Sequence, residues 1–138
     1  MDNNNKLKIV SYDCNSAKNR VDVIRELINN HDIVCLQETF LNKSDTDFIM
    51  GLDKNINFFI SDSQVNYNAN GGHPKGGLLI IWKKYLDKAI SPILFHTNYI
   101  GISSADNDYL LVNVYLPYDD HSNDQLTNYR QNSNFPSR

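Results

Sequence analysis

Long apolar runs, prolines and cysteines are all scarce in this sequence of 138 residues, which has four prolines and two cysteines. The longest apolar run, Leu78–Trp82, is strand-sized and far short of the roughly 18 residues that a membrane-spanning helix needs. Two cysteines cannot form a disulfide framework. The segment Met1–Asn5 has no apolar core and does not resemble a secretory signal. We therefore expect one globular domain with free thiols, no membrane partner and an intracellular location, in the cytoplasm or nucleus.

An excess of positive charge is also missing. The chain has 13 basic and 16 acidic residues, for a net charge of −3, whereas proteins that hold nucleic acid by charge alone are usually basic. An acidic balance is instead compatible with carboxylates that bind a hard cation such as Mg²⁺. Hydrophobic residues make up 41% of the sequence and charged residues 21%, which is typical of a globular domain and argues against disorder.

Several catalytic signatures are absent from the sequence. It has no Cys-x-x-Cys, its four histidines lack the spacing of metal ligands, and no Gly-x-Ser-x-Gly supports a serine hydrolase. Residues 71–77 are rich in glycine, but they lack the phosphate-loop pattern and lead into a strand, so a flexible turn is the better interpretation. Lys75 in this stretch can still face a phosphate as a point charge.

The hydrophobic pattern predicts a strand–helix–strand start followed by a strand-rich remainder. Ser16 is predicted to cap a helix that runs to about Asn29, and Ser44 is predicted to cap a short helix through Asp53. The predicted strands are Leu7–Tyr12, Asp32–Leu36, Asn57–Ser61, Leu78–Trp82, Ile93–Ile102 and Tyr109–Leu116. This order predicts a fold in the α/β to α+β range, with a mixed β-sheet and helices outside it.

Oxygen-bearing side chains gather where the predicted strands end. Glu38 directly follows a buried strand, and Asp13 and Asn15 follow the first strand. Functional residues collect at such strand ends in α/β sheets, and Mg²⁺ prefers oxygen ligands, so these side chains predict a cation site. Two alternatives remain open from position alone. Glu38 can be a helix cap or a solvated loop acid, and Tyr115 can be an amphipathic rim residue instead of a hydrogen-bond donor to a phosphate.

Four segments that contain predicted strands and their ends follow one another along the chain: Lys8–Asn15, Asp32–Thr39, Gly76–Trp82 and Leu111–Pro117. Together they resemble the endonuclease/exonuclease/phosphatase family, and most closely the endonuclease domain of non-LTR retrotransposons. The Leu-Gln-Glu-Thr sequence in the second segment is the most specific part of this resemblance. The resemblance implies part of a four-layered α/β sandwich and Mg²⁺-dependent hydrolysis of phosphodiesters, with DNA as the substrate and one or two divalent cations as cofactor.

The resemblance also implies roles for individual residues. Glu38 falls on the family's metal-ligating glutamate, and Asn15 falls where many members carry a second metal-site residue, usually Asp. Tyr115 falls on the tyrosine that contacts the scissile phosphate. Asp13 falls on a catalytic position that is usually Asn, so Asp13 and Asn15 resemble a swap of the usual pair. The candidate substrate-binding residues are Lys75 and Asn113.

Two further motifs of that family are missing. No Asp-x-Asn follows the segment Leu111–Pro117, and no Ser-Asp-His occurs; the resemblance implies that these motifs supply the general base and an Asp–His pair. We therefore expect residues 1–138 to form the N-terminal portion of one domain whose C-terminal half is missing. Such a chain should be a poor nuclease, and its uncovered apolar sheet face should favour self-association. A non-catalytic nucleic-acid or protein-binding module of the same fold and a lipid or inositol phosphate phosphatase remain the alternatives.

Overall fold

The computed structural model describes residues 6–62, 64–65, 74–105 and 108–116, with backbone only for 64–65 and 74–75. The N-terminal segment 1–5, the first part of the glycine-rich stretch (71–73) and the tail from 117 lie outside these residues. No helix within the described ranges is long and apolar enough to cross a membrane. The strands are β1 (Ile9–Asp13), β2 (Ile33–Gln37), β3 (Ile56–Ser61), β4 (Gln64–Val65), β5 (Pro74–Lys75), β6 (Leu78–Lys83), β7 (Ile90–Phe95), β8 (Tyr99–Ser104) and β9 (Leu110–Val114).

The strands form two main sheets and a short ribbon. The first sheet has the order β1-β2-β6-β3, and the second has the order β7-β8-β9, while β4 and β5 pair only with each other. Strands β1 and β2 are parallel and are joined by helix α1 (Val21–Asn30), which confirms the predicted strand–helix–strand start. Strand β6 runs antiparallel to β2 and β3. The sheet is therefore mixed, as the sequence predicts.

Neither predicted cap is observed, and the first helix begins several residues later than predicted. Ser16 makes no side-chain cap, and the non-helical backbone of Arg20 (φ −129°, ψ 29°) separates a 3-10 turn at Ala17–Asn19 from α1, which begins at Val21. In the second case Asn42, not Ser44, caps a 3-10 turn at Lys43–Asp45 that leads into helix α2 (Thr46–Met50). Its side chain and that of Asp45 bond each other's backbone N–H, which satisfies two donors at once.

The predicted strand Ile93–Ile102 is two strands with a turn between them. The N–H of His96 donates to the carbonyl of Tyr99 over 2.8 Å, and the N–H of Asn98 donates to His96 Nδ1 over 3.1 Å. The polar sequence His-Thr-Asn thus supplies its own acceptor for a tight turn within a β-rich run. Side-chain bonds of this kind compete with the continuation of a strand.

The described residues form three layers, namely helices, the first sheet and the second sheet. Members of the cluster on the helix side include Ile24, Leu36 and Leu79, and members of the cluster between the sheets include Ile80 and Ile100. The expectation of an uncovered face on the first sheet is therefore wrong, because β7, β8 and β9 cover that face. Apolar side chains are exposed instead along the last strand, at Leu110, Val112, Val114 and Leu116. Self-association stays a prediction, and this stripe is one exposed apolar surface for it, beside others such as Ile93 and Phe95 on β7.

Candidate active site

Two loops with strained backbones follow β1 and β2. Asn15 (φ 44°), Ser16 (84°), Glu38 (52°) and Phe40 (56°) all have positive φ, and they are the only non-glycine residues with positive φ in the described part of the chain. Such angles are unfavourable for residues with a side chain, and they persist where the surroundings enforce them, often at functional sites. The N–H of Ser16 donates to the Glu38 carbonyl over 2.9 Å, which holds the two loops against each other.

The loop after β2 is held from its other side by the start of β6. The N–H groups of Thr39 and Phe40 donate to the carbonyls of Gly77 (3.2 Å) and Gly76 (3.0 Å), respectively. Both glycines have positive φ, 74° for Gly76 and 89° for Gly77, which a residue with a Cβ adopts only at a cost. Thr39 is fully buried. Glu38 therefore projects from a loop that is anchored on both flanks.

The Glu38 carboxylate contacts two other candidate residues. The Tyr115 hydroxyl donates to Glu38 Oε1 over 2.7 Å, and this bond, together with burial, raises the pKa of Tyr115 to about 12. Partial desolvation, followed by the hydrogen bond and the negative charge of Glu38, raises the pKa of Asp13 above its ordinary value. Two carboxylates in contact stabilise each other only through a shared proton or a bound cation.

This donor set fits a hard divalent cation. Asp13 and Glu38 supply carboxylate oxygens, and Asn15 is exposed beside them with its N–H bonded to Asp13. Within the described ranges no three His, Cys, Asp or Glu side chains form a group that could hold a metal ion. One or two carboxylates with water completing the shell is the usual protein environment of Mg²⁺. Asn15 as a side-chain ligand stays a prediction.

A buried amide joins the two sheets beneath this site. Asn113 is 2% exposed, and its Nδ2 donates to one main-chain carbonyl in β2 and one in β6, each over 3.0 Å. Gln37 Nε2 donates to Asn113 Oδ1 over 2.7 Å and to Ser11 Oγ over 2.9 Å. Because Asn113 lies two residues before Tyr115, these bonds fix the position of the tyrosine against Glu38. Sequence reasoning missed Gln37 and Ser11, although an amide at the end of a buried apolar strand is a signal for such a network.

The structure thus brings Asp13, Glu38 and Tyr115 together and places Asn15 beside them. Asn113 is engaged in holding the sheets, so its predicted contact with substrate stays a prediction. For Lys75 only the backbone is described, in β5 just before the glycine pair, and its substrate contact also stays a prediction. Cys14 and Cys35 are buried free thiols, as expected, and burial raises the pKa of both, to about 12 and about 11.

A sequence comparison shows the family of the chain. The profile of the endonuclease/exonuclease/phosphatase family matches residues 10–135, and this chain belongs to that family. Comparison with curated protein sequences gives no significant match.

Solved structures share the fold at low identity. An AP endonuclease from Archaeoglobus fulgidus has 19% identity and a TM-score of 0.61, covering 91% of this chain and 48% of its own. An AP endonuclease from Leishmania major has 17% identity and a TM-score of 0.67, with 96% and 46% covered. A 3′ phosphatase from Neisseria bound to product DNA hairpin has 17% identity and a TM-score of 0.55, with 80% and 41% covered. This chain therefore spans about half the length of these structures, or somewhat less.

Proposed function

We propose that this chain provides the cation- and phosphate-binding part of a phosphodiesterase site that acts on DNA with Mg²⁺. The contact of Glu38 with both Tyr115 and Asp13 carries this proposal. Membership of the family supports it, as does the similarity of the fold to AP endonucleases and to a 3′ phosphatase with a DNA product. The four ordered sequence segments favour an endonuclease of the retrotransposon type within the family.

The chemistry divides between the cation and the residues of the chain. A bound cation would neutralise the carboxylate pair and polarise a phosphoryl oxygen. Tyr115, with its pKa near 12, keeps its proton at neutral pH and acts only as a donor. When a phosphodiester binds, the Tyr115 hydroxyl can donate its hydrogen bond to a phosphate oxygen instead of to Glu38. The anchored loop of Glu38 keeps these groups in place, so little reorganisation is needed.

Activation of the attacking water is a separate requirement. A positioned general base contributes roughly 10²- to 10⁴-fold to the rate, whereas the described neighbours of Glu38 are a carboxylate, a tyrosine and backbone amides. These groups suit binding better than proton transfer. We therefore propose that the 138 residues bind DNA in the presence of Mg²⁺ and cleave it slowly.

The test compares the only two glutamates of the chain. Glu38→Gln removes a charge from the site, and Glu26→Gln removes one from the exposed face of α1. We expect Mg²⁺ to strengthen the binding of labelled DNA to the unmodified chain and to Glu26→Gln. The affinity of Glu38→Gln in Mg²⁺ should fall by about tenfold or more, since even residues that only support metal ligands contribute that much.

Two assays of the same proteins decide between the alternatives. Fluorescence anisotropy gives the affinity, and nicking of supercoiled plasmid gives the cleavage. Binding that ignores both Mg²⁺ and Glu38 would overturn the proposed site. Binding that depends on Mg²⁺ without any nicking would overturn hydrolysis and favour a non-catalytic module of the same fold.

A further inference from the structure

The second sheet covers the inner face of the first sheet except at β1. The first sheet has four strands and the second has three. Asn113 of β9 donates to carbonyls in β2 and β6, so β9 lies over these two strands and β1 extends beyond it. Val10 and Tyr12 of β1 pack on the helix side. By alternation, Ile9 and Ser11 face the other way, where no described strand covers them.

An apolar cavity of about 640 Å³ lies beside the start of β1, at the end of the sheets opposite to the candidate site. Its walls include Ile9 and Ile33 from the first sheet and Ile102 and Leu111 from the second. Ile9 is 47% exposed, and the preceding Leu7 is 53% exposed. Exposed apolar side chains around a cavity mark a surface for interaction with another apolar surface.

The edge of β9 on this side presents free backbone groups. Tyr109 and Tyr115 bond to β8 through their backbone groups. Because bonded residues alternate along an antiparallel pair, the N–H and C=O groups of Leu110, Val112 and Val114 point away from β8. No described strand pairs with these groups, and β1 likewise pairs with β2 on one side only. Two sheet edges are thus open next to each other, and open edges favour pairing between chains.

The step between the two sheets is complementary to itself. Strands β1 and β9 run in the same direction, because their carboxyl ends bring Asp13 and Tyr115 to the same carboxylate of Glu38. A second copy rotated by 180° about an axis parallel to these strands therefore places its β1 beside β9 and its β9 beside β1. Each first sheet then continues into the second sheet of the other copy, and the two cavities close on each other. Such a contact uses one surface patch twice.

We propose that this chain forms a two-fold dimer in which β1 of each copy pairs in parallel with β9 of the other. A lone added strand could pair with only one of the two open edges, whereas a second copy supplies a partner for both. The length of the chain also favours a second copy. The chain spans about half the length of the similar solved structures, so two copies contain about as many residues as one of them. The inference goes beyond the proposed function and does not depend on it.

Sedimentation equilibrium over a range of micromolar concentrations measures this association. High salt is used, because Asp13 ends the same face of β1 and salt screens the repulsion between the Asp13 carboxylates of the two copies. We expect the unmodified chain to approach twice the mass of one chain as its concentration rises. Ile9→Lys should raise the dissociation constant by about tenfold or more, because the dimer would bury the lysine charge without a partner. The position is half exposed in the single copy, so the variant should stay folded.

Ile93→Lys is the matched control, since Ile93 is 51% exposed on β7, the opposite edge of the second sheet. It should leave the dissociation constant unchanged. Val112→Pro removes an N–H that points at the other copy and should weaken the dimer as Ile9→Lys does. A chain that stays monomeric at every concentration, or a dimer that survives Ile9→Lys, would overturn the interface. Equal weakening by Ile93→Lys would overturn it as well, because the contact would then not be specific to the β1–β9 side.

Discussion

Strand β2 has a carboxylate at each end, and the two have opposite environments. Asp32, just before the strand, accepts the Lys8 N–H over 2.8 Å and the Tyr85 hydroxyl, and these bonds lower its pKa. Glu38, just after the strand, accepts one hydroxyl but faces Asp13, whose pKa is raised. One end of the strand is thus electrostatically satisfied, and the other brings like charges together.

The difference shows where this sequence departs from what the fold alone requires. The hydrogen-bond donors around Asp32 favour its charged form and so stabilise the folded state. The Asp13–Glu38 pair opposes folding at neutral pH unless a cation joins it, and perturbed carboxylates of this kind cluster at functional sites. The strained loops lie at the same end as this pair. Local rules are broken at one end of the sheet and obeyed at the other, as expected when the first end is functional.

The largest effect on stability should come from a cavity in β2, the strand that lies between the two carboxylates. Leu36 is fully buried in β2, and Leu36→Ala should cost about 2–5 kcal/mol of unfolding free energy because it leaves a cavity in the core. Urea denaturation measures this loss. Val112→Ala, on the exposed stripe of β9, is the control and should change stability by only about 0.5 kcal/mol. Equal losses in the two variants would contradict the assignment of the core.

A smaller effect, confined to the site end, is expected when the amide beneath it is removed. Asn113→Ala removes the amide donor that carbonyls of β2 and β6 share, and it deprives Gln37 Nε2 of one acceptor, which should cost about 1–3 kcal/mol. It should also weaken Mg²⁺ binding, measured by calorimetry, because Tyr115 and Glu38 lose their alignment. Asn30→Ala, at the exposed end of α1, controls for the loss of an amide. Unchanged Mg²⁺ affinity in Asn113→Ala would show that the amide supports the fold only.

The parts of the fold and of the site that depend on residues close together in the sequence could be predicted, and the parts that depend on distant residues could not. The apolar runs of β2 and β6 and the apolar spacing of α1 predicted these elements and a mixed sheet, although not its strand order, and the polar strand ends indicated Asp13 and Glu38. The turn at 96–98 was missed because His96 Nδ1 replaces a strand hydrogen bond, which no apolar pattern reports. The hydrogen bond from Gln37 to Asn113 was missed because it joins residues 76 positions apart. Contacts of that range depend on the packing of the two sheets.

The smallest effects should come from substitutions that remove one carboxylate at a time. They are also the most direct test of the difference between the two ends of β2. Without a cation at neutral pH, Asp32→Asn should lower the unfolding free energy, because favourable bonds to the charged form are lost. Asp13→Asn should raise it, because the repulsion with Glu38 is relieved. Thermal or urea denaturation of the two variants beside the unmodified chain measures both signs. Shifts of the same sign would mean that the two ends of β2 do not differ electrostatically.

The pH dependence of the same proteins should separate the two carboxylates further. The folded state holds the Asp13 proton more tightly than the unfolded chain does, so the Asp13 contribution to stability falls as pH rises from the ordinary pKa of 3.8 through the raised folded value. The lowered pKa of Asp32 has the opposite sign, so its contribution is present above pH 3.8 and is lost as pH falls towards the lowered folded value. Mg²⁺ should cancel the Asp13 contribution, because a bound cation favours both carboxylates in their charged form, and it should leave that of Asp32 unchanged. A Mg²⁺ effect that persists in full in Glu38→Gln would place the cation elsewhere on the protein.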